Sequence, residues 1–358
     1  MNSSNTAIIC LSPHIGGMEL DALKLSVILD KYIHITTIIK ENTLLQERCQ
    51  TNQDFKNLNV ETINFKVNLL SPSIIINMRR LIKKNNIKNI IFFGASELKS
   101  LYFAFLGMKI NLIVRHGTIK GTSKKDWFHK LIYSNVNHHV SISKYLQENV
   151  RKIIPFGQNS IENLIIPSMY KEISSITHQK NEILSLVHIG RVVPGKGIDK
   201  AIIALSILKE NKIPFLFHSY GPRNEKYEPI LHSLVDTLNY KDNLIFHSFT
   251  NNVFDLYKQN DIFIFPTDGE GYGNVMMEAI SHGIICLSYN NSAIIEFKEM
   301  GFHIHLVQDA SQEALNQQLL YISNNLEKEK TLAQLNIQQA KSIFSMQREA
   351  KNYLEILI

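Results

Sequence analysis

A chain of 358 residues, 44% of them hydrophobic, is long enough to bury two cores rather than one, so two domains are expected. No stretch approaches the roughly 18 to 20 consecutive apolar residues of a membrane span, and Met1-Asn2-Ser3-Ser4-Asn5 lacks the basic and apolar regions of a signal peptide, so a cytoplasmic protein is expected. The formal charge of +6 conceals an asymmetry: residues 1–180 carry 23 Lys+Arg against 12 Asp+Glu, whereas residues 181–358 carry 15 against 20. Without a zinc-finger, helix-turn-helix or RNA-binding signature, the basic half points away from nucleic acid and towards phosphorylated substrates or an anionic membrane.

Short apolar runs alternate with helical patterns, as parallel sheets with crossover helices require. Ala7-Ile8-Ile9-Cys10-Leu11 reads as a strand and Met18 to Leu29 as the helix after it. Further strands are expected at Ile33–Ile39, Ile90–Phe93, Asn111–Val114 and His139–Ile142. Ile161 to Glu182 mixes Pro167, Ser174, Ser175 and polar residues without a period, which reads as a linker with the boundary near residue 175. The second half repeats the alternation, with strands at Leu184–Ile189, Phe215–His218, Asn243–Phe246, Asp261–Phe265 and Gly283–Ser288. Cys10, Cys49 and Cys286 are odd in number and unpaired in spacing, which suits a reducing compartment.

Four stretches carry candidate chemistry. Pro13-His14-Ile15-Gly16-Gly17 separates the first strand from its helix, where free N–H groups suit an anion, although a glycine turn there is also ordinary. Arg115-His116-Gly117 follows an apolar strand, so His116 is expected to point into the crevice at the sheet's carboxyl edge, or else to be a satisfied structural histidine. Gly190-Arg191-Val192-Val193-Pro194-Gly195-Lys196-Gly197 sets two cations in a flexible turn, suited to a diphosphate leaving group or simply solvated.

The fourth stretch runs from Phe265 through Glu270-Gly271-Tyr272-Gly273-Asn274-Val275 to Glu278 and Ala279. It reads as a strand, a glycine loop and a helix from Asn274 to about Gly283, with two carboxylates at different depths that suit vicinal hydroxyls. No Asp-x-Asp occurs, and His138-His139 and His303-x-His305 lack supporting ligand spacings, so neither a metal nor a cofactor is expected.

Together these stretches resemble the retaining glycosyltransferases of family 4. Glu270 and Glu278, seven residues apart, look like that family's E-x7-E motif, with Ala279, Gly283 and Ala293-Ile294-Ile295-Glu296 as its continuation. The resemblance implies a GT-B architecture: two Rossmann-like doubly wound α/β domains facing a central cleft, the first (1–175) holding the acceptor and the second (176–340) the nucleotide sugar. A C-terminal helix (341–358, around Ser345 to Ile358) would cross back to the first domain.

It implies that Glu278 receives the donor ribose and Glu270 the sugar hydroxyls. Arg191 and Lys196 would neutralise the diphosphate, helped by backbone N–H groups at Gly271, Tyr272, Gly273, Asn274 and Val275. His116 would lie near the reacting carbon, Gly16 and Gly17 beside phosphates and acceptor, and Gly221 and Phe249 along the base pocket. Ser248 in place of a common glycine, and Ile154-Pro155-Phe156-Gly157-Gln158 in place of the usual Pro-Asn-Gly-Ile-Asp, depart from the pattern.

The implied reaction is metal-independent hexosyl transfer with front-face retention, from a nucleotide-sugar donor to a glycan or lipid-linked acceptor. UDP is favoured over GDP-mannose, and polysaccharide, O-antigen or lipopolysaccharide biosynthesis is the implied setting. The alternatives are a sugar-nucleotide epimerase and a non-catalytic scaffold partner of another transferase. Ile74, Ile75, Met78, Leu81 and Ile82, flanked by Arg79, Arg80, Lys83 and Lys84, suit either packing on the sheet or peripheral contact with the inner face of the cytoplasmic membrane. Lys120, Lys124, Lys125, Trp127, Phe128 and Lys130 form a second basic and aromatic cluster.

Overall fold

The computed structural model describes residues 5–14, 16–67, 69–171, 182–248, 250 and 252–357. Two compact units divide it: Met1–Tyr170 together with Phe344–Ile358, and Lys171–Ile343.

In the first unit the order is β1 (Asn5–Cys10), α1 (Gly17–Asp30), β2 (Ile35–Lys40), α2 (Leu44–Thr51), β3 (Val60–Ile63), α3 (Pro72–Lys84) and β4 (Ile87–Phe93). It continues with α4 (Leu98–Phe105), β5 (Asn111–His116), α5 (Trp127–Tyr133), β6 (His138–Ser141), α6 (Lys144–Ile153) and β7 (Ile161–Leu164). The seven strands are parallel in the order β3-β2-β1-β4-β5-β6-β7, so the winding reverses between β1 and β4. Ligands of doubly wound sheets bind beyond the carboxyl ends of the strands at such a reversal, and Gly16 sits there.

Strand alternation divides the side chains between two faces. Leu112 and Val114 pack with α3 and α4 residues such as Ile74, Met78 and Leu101, whereas Ile113 packs with Ala22 and Leu25 of α1. The apolar stripe of α3 is therefore core: Ile74, Met78 and Ile82 are buried. Of the two readings open for this helix, its apolar stripe takes packing on the sheet. Its basic residues serve the fold as well, with Arg79 donating to Ala104 O and Leu106 O, and Lys84 pairing with Glu61.

The second unit runs β8 (Leu184–Ile189), α7 (Ile198–Ala204), α8 (Ser206–Glu210), β9 (Phe215–Tyr220), α9 (Glu228–Leu238), β10 (Leu244–His247), α10 (Val253–Gln259) and β11 (Ile262–Ile264). It ends with α11 (Asn274–Ser281), β12 (Ile285–Tyr289), α12 (Ile294–Glu299), β13 (His305–Val307), α13 (Gln312–Asn324) and α14 (Leu326–Ile343). Its six parallel strands lie in the order β10-β9-β8-β11-β12-β13, so the reversal falls between β8 and β11.

The last helix, α15 (Met346–Leu354), belongs to the first unit: Ala350 and Tyr353 are buried beside α1, and Asn111 Nδ2 donates to Ile356 O. Ile161–Leu164, read from sequence as part of the linker, is instead the seventh strand, half-exposed at the sheet edge and paired with β6. No helix among the described residues is long and apolar enough to cross a membrane.

Candidate active site

In the second unit the loops after β8 and β11 flank the strand reversal and are held together by backbone. Asp268 N donates to Gly195 O at 2.9 Å, and Thr267 Oγ1 to the same carbonyl at 3.1 Å. This approach demands glycine at 197: at φ +79°, an added Cβ would lie 2.2 Å from Pro266 O. A Cβ on Gly221 would likewise lie 1.8 Å from Gly190 O, where the β9 turn abuts the β8 turn.

Lys196 and Glu270 meet across the joined loops, Nζ to Oε1, at 2.5 Å, with side chains 20% and 16% exposed. Two residues that sequence reasoning passed over hold them. His188, buried on β8, bonds through Nε2 to Lys196 O at 3.0 Å, and burial lowers its imidazole to about 4, so the neutral ring donates from Nε2–H. Ser292 Oγ accepts from Glu270 N at 2.8 Å, while Asn291 Nδ2 donates to Thr267 O at 2.7 Å. His188 was hidden in an apolar strand, and Ser292 follows β12, some twenty residues from the carboxylate it fixes.

Arg191 is exposed on the first loop. Gly271, Tyr272 and Gly273 lead into α11, which opens at Asn274 and Val275 with Gly273 as N-cap at φ +94°. Tyr272 is buried against Phe297, and Tyr257 Oη donates to Val275 O, so the entry to the helix is fixed by packing. Glu278 lies 9% exposed in the second turn, and its backbone carbonyl takes His282.

At the end of β9, Gly221 is preceded by Tyr220, whose ring stacks on His247 with centroids 4.1 Å apart and planes 3° from parallel. His247 ends β10 and pairs with His218 at 3.0 Å, two histidines that sequence reasoning misses because they lie on different strands. Phe249 and Ile15 lie outside the described residues.

In the first unit Gly16 caps α1 without a side-chain hydrogen bond, and Gly17 is its first residue. β5 extends through His116, two residues beyond the expected end, and pairs it with Ser141 of β6. The imidazole is thereby packed inside the sheet rather than open to a crevice: His116 is 1% exposed, and its Nε2 lies 3.0 Å from His139 Nδ1. Burial first, then the charges of Lys120, His139 and Lys124, hold it well below the usual histidine value, so the ring is neutral.

Beside it, Arg115 points to the opposite face and pairs with Asp21 of α1 at 3.0 Å, both side chains being nearly inaccessible. Glu349 of α15 lies near this pair and accepts from Ser168 N and Oγ; burial nonetheless pushes its carboxyl up. Among the described residues, one group of three metal-ligating side chains converges, and it lies away from these loops, at His303, His305 and Glu329.

Two parallel Rossmann-like sheets, each with helices between its strands, are the architecture of the GT-B glycosyltransferases. Residues 170–339 match the family model described as Glycosyl transferases group 1, so the second unit carries a domain of that type. Among curated proteins, lipopolysaccharide glucosyltransferase WaaG of Escherichia coli (strain K12) is 31% identical over 124 residues, 34% of this chain and 31% of WaaG. Capsular polysaccharide biosynthesis glycosyltransferase CapM of Staphylococcus aureus is 20% identical over 224 residues, 60% of this chain and 57% of CapM. The chain thus spans about a third of the first of these relatives and less than two thirds of the second. Among solved structures, Anabaena HepE in complex with UDP and glucose superposes with a TM-score of 0.82 at 15% identity, covering 98% of both chains. S. aureus TarM, solved as a G117R mutant with UDP and α-GlcNAc-glycerol, gives 0.78 at 12% identity, covering 99% of both.

Proposed function

We propose that this protein is a retaining glycosyltransferase that moves a hexose from a nucleotide diphosphate, with UDP favoured, to a glycan or lipid-linked acceptor in surface polysaccharide or lipopolysaccharide assembly. The observation that carries the reading is the Lys196–Glu270 pair, held on two joined loops at the strand reversal and at the amino end of α11. A cation, the backbone N–H groups of a helix start and a carboxylate within one small volume are what a diphosphate joined to a sugar would engage.

On binding, the donor diphosphate takes Lys196 Nζ from Glu270, with Arg191 and the N–H groups of residues 271–275 as further donors. Glu270 is then released to accept the sugar's hydroxyls, and Glu278 receives the ribose. The Tyr220–His247 stack suits the base. In the transfer, the bond from the anomeric carbon to the phosphate oxygen breaks and the acceptor oxygen bonds to the same face, its proton passing to the departing phosphate. Lys196, Arg191 and the helix N–H groups stabilise the charge that develops there. Gly16 and Gly17, at the start of α1, are the proposed acceptor contacts of the first unit.

That HepE and TarM were solved with UDP favours a uridine donor, and the descriptions of WaaG and CapM favour the surface-glycan setting. Trp127, 77% exposed between Lys124, Lys125 and Lys130, suits peripheral contact with an anionic bilayer. Incubating the protein with UDP-hexoses and lipid-linked saccharide extracts, and reading the new anomeric centre by NMR, tests the reaction. Retention of the donor configuration supports it; an inverted product removes the front-face mechanism. Co-sedimentation with phosphatidylglycerol vesicles at low salt, lost in Trp127→Ala, is the expected membrane result, and no binding removes that part.

A further inference from the structure

His303-x-His305 carries no ligand pattern by itself, but the fold brings α14 to it. His303 Nε2 and His305 Nε2 lie 2.7 and 3.0 Å from one and the same oxygen, Glu329 Oε2, and the three ligand atoms fall within 4.8 Å of one another. We propose that His303, His305 and Glu329 form a binding site for a divalent transition cation of the zinc type, which joins the start of β13 to α14.

Two imidazole nitrogens aimed at one point, with a carboxylate oxygen beside them, match the three protein ligands of an open tetrahedral site, in which bonds of about 2.0–2.1 Å set ligand atoms roughly 3.4 Å apart. Modest outward movement of the side chains from their present spacing admits the ion. The Glu329 side chain is 2% exposed and His305 10%, whereas His303 is 32% exposed and leaves one side open for entry and for a water ligand.

The surrounding groups hold the ligands in place. Asn336 Oδ1 accepts from His303 N at 2.8 Å and its Nδ2 donates to His303 O at 2.9 Å, clamping the backbone that carries the first ligand. The Gln318 amide lies 2.9 Å from His305 Nδ1, and Tyr321 Oη donates to Glu329 Oε1. Outer partners of this kind fix the ring and its tautomer. With Gln318 Nε2 facing Nδ1, the proton sits on His305 Nε2 and is donated to Glu329. Turning the amide to offer Oε1 moves the proton to Nδ1 and frees Nε2 for the ion.

One cation acting on His305, Lys298, has its ammonium held by Ile304 O at 3.2 Å. Two neutral nitrogens and one carboxylate favour zinc, cobalt or nickel over magnesium or calcium, which require oxygen ligands. The site lies at the amino end of β13, the opposite end of the sheet from the loop that holds Glu270, so it acts on stability and not on the transferred sugar.

The test uses the full chain, stripped with chelator and titrated with zinc chloride by calorimetry, then with cobalt for its visible spectrum. One zinc ion per chain at micromolar or better affinity is expected, with a thermal midpoint that rises with zinc and falls back on adding EDTA. His303→Ala, at a half-exposed position that the fold tolerates, is expected to weaken zinc at least tenfold, as are His305→Ala and Glu329→Gln. Zinc binding unchanged in His303→Ala and His305→Ala would mean that the ion sits on other histidines and overturns the proposal, as would a response to magnesium equal to that for zinc.

Discussion

Asp21→Ala leaves Arg115 charged and without its carboxylate inside the first unit. The pair is 3.0 Å long with side chains 2% and 9% exposed, and removing one partner of such a pair costs about 3–5 kcal/mol. Glu349 stands close enough to take up part of the charge, and burial has pushed its carboxyl up. The loss of Asp21 favours its ionisation, so the lower figure, about 3 kcal/mol, is expected. Because the chain holds two units, a single melting curve does not isolate the effect, whereas hydrogen exchange read by mass spectrometry does. Peptides from β1, β4 and β5 should exchange about a hundredfold faster at sites that open globally, while peptides from β8 to β12 stay unchanged. Replacing both partners, Asp21→Leu with Arg115→Met, removes the stranded charge and should recover most of the loss. A cost below about 1 kcal/mol for Asp21→Ala, or a double variant worse than the single one, would refute the argument.

Gly197→Ala drives a methyl into Pro266 O and forces a left-handed backbone, so it should cost more than about 2 kcal/mol in the second unit, checked by exchange of the β8 and β11 peptides. Ser292→Ala removes one hydrogen bond to Glu270 N and should weaken nucleotide-sugar binding severalfold in calorimetry while the melting midpoint moves by only a few degrees. His188 and His139 take up protons only near pH 4 when folded, against about 6.5 when unfolded. The unfolded chain therefore binds more protons between those values, and stability present above about pH 6.5 falls as the pH drops towards 4. Urea midpoints that decline steadily from pH 7 to 4.5 check this, and His188→Gln should flatten the decline in the second unit.

The parts of the fold legible in the sequence are those with a continuous apolar run. Leu184–Ile189 is a fully buried strand and was found whole, because a central parallel strand is apolar on both faces. Val60–Ile63, Ile161–Leu164 and His305–Val307 were missed, and all three are edge strands with half-exposed residues, where no run exists to be seen. At the candidate site, Lys196 and Glu270 stood out through their glycine-rich turns, and the structure brings them into contact over 74 residues of sequence. His188, Ser292 and His247 did not, since each acts through a neighbour on another strand or loop. The end of the apolar run leaves His116 either facing a crevice or structural; the strand continues through Arg115 and His116, two polar residues that its pairing with β6 and the Arg115–Asp21 bridge accommodate. Glu329 lies 24 residues beyond His305, outside any local ligand spacing.

The central claim is tested most directly by titrating the protein with UDP, GDP and ADP and their common sugar conjugates while following thermal stability, beside Lys196→Ala and Glu278→Ala. One nucleotide should raise the midpoint selectively, with the shift lost in both variants. If no nucleotide moves the midpoint at millimolar concentration, the loops around Lys196 and Glu270 do not form a donor site and the transferase reading is contradicted.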